Sequence, residues 1–134
     1  MEKIKVIVEL AANNYAAYIE LLPGCISTGA TFEELQQNMK EAVEFHLETS
    51  REFGDEIPEQ FTSDYELFYK FDPESLLVHY KGIFTNSAFE RITGINQRQL
   101  QRYATGKTIP LPEQRQKIST ALHNLGRELM LVEL

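Results

Sequence analysis

Apolar and polar positions along this 134-residue chain follow two different periods. Residues 2–10 alternate. Ile4, Val6 and Val8 fall on one side and Lys3, Lys5, Ile7 and Glu9 on the other, which predicts a β-strand. Asn13-Asn14 is a turn signal and Tyr15–Leu22 a second β-prone run, so the two predict a hairpin. Pro23-Gly24 breaks that run. Residues 25–28 read as a short third strand ended by Gly29. The period then changes. Thr31 and Glu34 form a T-x-x-E capping box, and Phe32, Leu35, Met39, Ala42, Val43 and His46 follow at helical spacing. This helix is expected to run to about Phe53 and stop before Gly54. Residues 65–71 (YELFYKF) alternate again, with Tyr65, Leu67, Tyr69 and Phe71 on one face of a fourth strand. The order β-β-β-α-β predicts an α+β unit with one helix on a small sheet.

After Asp72-Pro73 the pattern is helical throughout. Asp72 as cap, Pro73 at the first position and Glu74 in the first turn open a helix carrying Leu76, Leu77 and Tyr80. Thr85 or Asn86 caps a second, with Ala88, Phe89 and Ile92 inward. Gly94 stands where a helix leaves through a positive φ. Asn96 caps a third helix over residues 97–105, with Gln99 placed as in a capping box, and Gly106 ends it. Pro110 and Pro112 introduce a fourth helix with Ile118, Ala121, Leu122, Leu125 and Leu129 on one stripe. The expected domains are therefore 1–71, α+β, and 72–134, all-α.

Charge sharpens this division. The net charge is −7, which by itself disfavours nucleic acid. Residues 1–75, however, hold 5 basic and 16 acidic side chains, a charge of −11. Residues 76–134 hold 8 basic and 4 acidic ones, a charge of +4. Such asymmetry points to two partners of opposite charge. Length and 43% hydrophobic content suit a chain that buries a core. The single Cys excludes an internal disulfide framework and fits a reducing, cytoplasmic setting. No apolar run suits a membrane span or a signal peptide, so no membrane partner is expected.

Catalytic chemistry is not expected. The acids Glu33, Glu34, Glu41, Glu44, Glu48 and Glu52 lie along one helix, and Asp55, Glu56 and Glu59 follow it. A metal-dependent nuclease needs carboxylates converging on one point, usually from strand ends. The simplest reading is a solvated acidic face, which is also a docking surface for a basic protein. Cys25 has no basic neighbour and reads as a small buried residue. His46, His79 and His123 show no metal-ligand spacing. Nucleotide-binding, hydrolase and zinc-protease motifs are absent. Catalytic residues, metal and cofactors are therefore all expected to be none.

The third helix of the basic half carries the candidate chemistry. Leu100, Tyr103 and Ala104 face a bundle at about 100° per residue, with Arg98 and Arg102 opposite, Gln97 at the exposed start and Gln101 flanking. Arg pairs bidentately with guanine and Gln with adenine in the major groove. Short helix, Gly turn, short helix is the helix-turn-helix arrangement. Phosphates would be held at helix starts and by Lys107 in the following loop.

Two resemblances add to these readings. The stretch YIELLPGCISTGATFEELQQNMKEAVEFHLE resembles the signature of HicB antitoxins through Leu22, Pro23, Gly24, Cys25, Gly29, Thr31, Glu33 and Glu34. It departs from the family at Ala30, often Asp, and at Glu20-Leu21, often Pro-Asp. Covering about residues 3–71, it implies a partial RNase H-like fold without nuclease activity. It also implies a partner: a small basic toxin of the HicA type that cleaves RNA and is neutralised by this domain. Residues 93–110 (TGINQRQLQRYATGKTIP) resemble the phage-repressor or Cro type of helix-turn-helix through Gly94, Asn96, Leu100, Gly106 and Lys107. Carried over by position, Gln97, Arg98 and Arg102 would face bases, and Asn86 and Lys107 phosphates. Glu90 departs from that family's small residue. Together these imply an antitoxin that represses its own operon by binding operator DNA as a homodimer or higher homo-oligomer. The alternative is a stand-alone helix-turn-helix regulator whose N-terminal domain senses a small ligand; a residual nuclease is a third possibility. The apolar tail, residues 125–134, is left between packing on the bundle and a dimer contact.

Overall fold

A computed structural model describes residues 1–134 as mixed α+β, in two compact units, Met1–Asp72 and Pro73–Leu134. In the first unit β1 (Glu2–Leu10), β2 (Tyr15–Tyr18), β3 (Ile26–Gly29) and β4 (Tyr65–Phe71) form one sheet in the order β3-β2-β1-β4. β1 and β2 pair antiparallel, with Val8 opposite Ala17, and so do β2 and β3, with Ala17 opposite Ser27. β4 lies parallel to β1, with Ile4 opposite Leu67. A parallel neighbour requires a crossover, and α1 (Phe32–Glu52) supplies it.

Alternation sets which sheet face is covered. Ile4, Val6, Val8 and Ala17 are buried, together with Leu35, Met39, Val43 and Leu47 of α1. Those four helical residues recur every fourth position, so one stripe meets the sheet. Each contributes roughly 1.5–3 kcal/mol on full burial. Phe32 reaches β4, its ring edge-on to Tyr69 and Phe71 at 5.3 Å. The opposite face carries Lys3, Lys5, Glu66, Phe68 and Lys70, all exposed.

The start of α1 is held from both sides. Thr31 Oγ1 accepts from the Glu34 N–H at 3.0 Å, and Glu33 and Glu34 place negative charge on the first turn. Gly29 is buried against that turn. A Cβ there would lie 2.5 Å from the Leu35 nitrogen and 2.9 Å from its Cα. Farther along, Asn38 Nδ2 donates to the Thr28 carbonyl at 2.8 Å, joining the helix to the edge strand.

Several expected details change. The second strand ends at Tyr18, not Leu22. Beyond it the chain turns on itself: the Ile19 N–H donates to the Cys25 carbonyl, and the Cys25 N–H to that of Leu22 at 2.9 Å. Gly24 takes φ 87° within this turn, a conformation that favours glycine. Ile19 and Leu22 stay buried, so they supply core from a loop. Leu47 replaces His46 in the buried stripe of α1, because it continues the four-residue spacing while His46 falls at the margin. A short 3-10 turn, Glu59–Phe61, inserts the buried Phe61 ahead of β4.

In the second unit α2 (Pro73–Tyr80), α3 (Asn86–Thr93), α4 (Gln97–Ala104) and α5 (Pro112–Leu131) enclose Leu77, Phe89, Ile95, Leu100, Tyr103 and Ile118. Pro112 opens α5, where its missing N–H costs no helical bond. Leu129, placed by its spacing on the buried stripe of α5, is 61% exposed, since the bundle ends before α5 does. No helix of the chain is long and apolar enough to cross a membrane.

Gly29→Ala is expected to destabilise the first unit by about 1–3 kcal/mol, the range for overpacking. The obstructing atoms are backbone, so a lowered melting temperature is the readout. A second expectation concerns His79, which burial holds below its ordinary value of 6.5. The folded state thus disfavours the imidazolium. Stability contributed by neutral His79 is complete above about 6.5 and is lost as pH falls from there toward the depressed folded value. Melting curves of the wild type should decline with acid in that window more than those of His79→Gln.

Candidate functional site

The basic unit concentrates its candidate residues on α3, α4 and the loop after α4. Local chemistry builds this surface. Thr85 caps α3, its Oγ1 accepting from the Ala88 N–H at 3.0 Å. α3 ends at Thr93, whose hydroxyl donates to the Phe89 carbonyl at 2.6 Å and accepts from the Ile95 N–H at 3.1 Å. One buried side chain thereby satisfies two backbone groups of the turn. Gly94 follows at φ 74° and its N–H donates to the Glu90 carbonyl at 2.8 Å. A positive φ at that point lets the chain reverse within three residues, and Ile95 is buried immediately after it.

Asn96 then starts α4. Its Oδ1 accepts from the Arg98 N–H at 2.8 Å, two residues on, so Arg98 is the residue the cap engages. Leu100 and Tyr103 are buried, and Arg98 and Arg102 lie exposed one turn apart. Gln97 and Lys107 are exposed too, whereas Asn86 and Gln101 are half-buried. All six residues expected from the sequence therefore belong to one stretch of the bundle surface, with differing freedom.

Four of the six are held by hydrogen bonds. Asn86 Nδ2 donates to Gln101 Oε1 at 3.2 Å, a link from the start of α3 to the middle of α4. Gln97 Nε2 donates to Glu90 Oε2 at 2.8 Å across the turn. Arg102 Nε donates to Thr108 Oγ1 at 3.1 Å, which ties the guanidinium to the loop after α4. Sequence reasoning missed Glu90 and Thr108 as members of this surface. Glu90 had a signal, being the lone acid between Lys81 and Gln97. Thr108 had none, because six residues of separation across Gly106 encode no contact until the loop bends; Gly106 takes φ 76° there.

The acidic unit presents a different surface. Glu33, Glu34, Glu41, Glu44, Glu48 and Glu52 are all exposed on α1. No group of three His, Cys, Asp or Glu side chains is placed to hold a metal ion. Cys25 is buried, and burial pushes its thiol above the ordinary value of 9.0, away from the thiolate a nucleophile needs. Burial, with the carboxylate of Glu44, likewise raises Tyr65.

A family model described as the HicB-like antitoxin of bacterial toxin-antitoxin systems matches residues 4–71. The chain is also similar to a UPF0150 protein of Helicobacter pylori, strain J99, at 41% identity over 44 residues, 33% of this chain and 61% of that protein. It is similar as well to a 14.9 kDa protein of the rep-hol intergenic region of Haemophilus phage HP1, at 37% identity over 51 residues, 38% of each chain. These matches span less than two thirds of either relative's own length.

Proposed function

The chain belongs to the HicB-like antitoxin family of bacterial toxin-antitoxin systems, and from that premise we propose that it neutralises a small basic RNA-cleaving toxin and represses its own operon. The observation that carries this reading is the joining of two units of opposite charge, one matched to the antitoxin family and one basic with an Arg-bearing helix surface. In this reading the unit of residues 1–72 binds the toxin and the unit of residues 73–134 binds operator DNA, in the cytoplasm.

The sheet order β3-β2-β1-β4, with β4 parallel to β1 after a helical crossover, supports the partial RNase H-like reading of the first unit. The dispersed carboxylates along α1 favour binding over residual nuclease chemistry, and no catalytic residue is assigned. In the second unit α3, the turn at Gly94 and α4 support a helix-turn-helix, with α4 as the recognition helix. Arg98 and Arg102 would read bases, Lys107 would hold phosphate, and Asn86 and Gln101 would brace the pair of helices while meeting the backbone. Gln97 joins base reading once it exchanges its bond to Glu90 for a base edge. Binding two half-sites calls for a homodimer or higher homo-oligomer.

The toxin half of the reading is tested by co-expression with the small protein encoded beside this gene. Co-purification and loss of that protein's toxicity are expected; absence of both refutes it. For the DNA half, Arg102→Ala should weaken binding to the upstream operator by roughly 1–3 kcal/mol with toxin binding unchanged. Gel shifts at fixed salt read this, and equal shifts by wild type and variant would remove Arg102 from the interface.

A further inference from the structure

Five of the chain's fifteen exposed large hydrophobic residues fall between positions 129 and 134, so its exposed apolar surface is concentrated at the far end of α5. Leu129 continues the stripe of Ile118, Leu122 and Leu125, lying within roughly 40° of each at about 100° per residue. Met130 and Leu131 lie on the opposite side of the helix, 88% and 87% exposed, with Arg127 between them at roughly 60° or less from each. The last turn is therefore apolar on every side, a pattern that belongs to a surrounded helix. One bundle can cover only one side of it. Val132 is extended, so Glu133 and Leu134 leave the helix axis.

Area and charge select what covers this end. A large aliphatic side chain offers roughly 60–120 Å² of apolar surface, so the five amount to about 300–600 Å². A stable interface takes about 800 Å² from each partner, about 65% of it apolar between like chains. The far end of α5 thus matches the apolar core of one such interface, and a two-fold pair needs no second patch, because each copy uses the same one. Residues 119–134 hold one cation, Arg127, and two acids, Glu128 and Glu133. A lipid surface calls for a helix rich in Lys and Arg, and a basic protein for an acidic patch; this end is neither. It does complement itself. Arg127 stands three residues before Met130 and Glu133 three after it, so two antiparallel copies centred on Met130 bring Arg127 of each level with Glu133 of the other. Within its own helix the Arg127 guanidinium donates to Asn124 Oδ1, one turn back.

We propose that the last turn of α5, with Glu133 and Leu134 beyond it, packs antiparallel on the same segment of a second copy about a two-fold axis near Met130, and so joins two basic units for two half-sites. The joining of units for DNA rests on the operator-binding reading above; the pairing of copies does not. Met130 and Leu131 form the centre of the contact. The two Arg127–Glu133 pairs flank it and fix the antiparallel direction, since a parallel pair would set Arg127 against Arg127 and Glu133 against Glu133.

The test measures the mass of the full-length chain by sedimentation, without DNA. The wild type should have the mass of a dimer or a multiple of it at micromolar concentration, and Met130→Glu with Leu131→Glu should halve that mass. Both side chains are exposed, so an unaltered far-UV circular dichroism spectrum is expected to accompany the change. Arg127→Glu should raise the dissociation constant by about 10-fold or more, since it sets like charges opposite twice. Adding Glu133→Arg to it should restore most of the affinity. A monomeric wild type overturns the proposal, as does an unchanged mass in the Met130 and Leu131 double variant, or a loss that follows Phe45→Ala in the first unit instead. Failure of Glu133→Arg to rescue overturns the antiparallel pairing. Gel shifts on the same proteins keep the two readings apart: a dimeric wild type that shifts no operator refutes the DNA reading while the pairing stands.

Discussion

One helix covers one face of the sheet of the first unit, and the unit's other properties follow from that. A small sheet needs an apolar layer on at least one face to be stable. Here α1 provides it through Leu35, Met39, Val43 and Leu47, packed on Ile4, Val6, Val8 and Ala17. For the helix to lie that close, its first turn must approach the end of β3 with no side chain between them. Gly29 is the residue that permits this, with the Leu35 nitrogen occupying the space of a Cβ. The Thr31 cap and the bond from Asn38 to β3 then fix the direction in which the helix leaves.

That arrangement divides the surface by charge. The inner stripe of α1 is spent on the core, so its six glutamates stay exposed on the rest of the helix, and the uncovered sheet face carries Lys3, Lys5 and Lys70 together with Glu66. The net charge of −7 is thus an average over an acidic helix surface, a sheet face of mixed charge and a basic second segment. The second unit repeats the principle in helices. Leu100 and Tyr103 anchor α4 in the bundle and leave Arg98 and Arg102 outward, while Thr93 and Gly94 keep the turn before it short. In both units one short-range device, a glycine with a threonine hydroxyl beside it, sets the position of the helix that carries the candidate chemistry.

Residues with local periodicity were legible in advance. The alternation of Ile4, Val6 and Val8, the T-x-x-E cap at Thr31 and the positive φ at Gly94 each correspond to an element or turn of the structure. The misreadings fall where local pattern and tertiary contact diverge. Residues 19–22 are β-prone, yet the bond between Ile19 and Cys25 folds them into a turn that still buries Ile19 and Leu22. Leu129 keeps helical spacing beyond the point where the bundle has anything to bury it. Glu90 departs from the repressor-type pattern, and to that reading the fold adds a hydrogen bond from Gln97.

By itself, the sequence determined the types and order of the elements, the alternation that chooses a buried face, the reversal of charge between the two segments and the resemblance to HicB antitoxins. Each of these depends on neighbours within a few residues or on composition, so no three-dimensional arrangement is needed to read it. Tertiary structure alone decided that β4 pairs parallel with β1, that Asn86 meets Gln101 and Arg102 meets Thr108, and that Phe45 and Asp55 line one groove with Cys25. Those facts depend on how segments distant along the chain are brought together, and that is set by the burial of α1 and α4 rather than by any local preference.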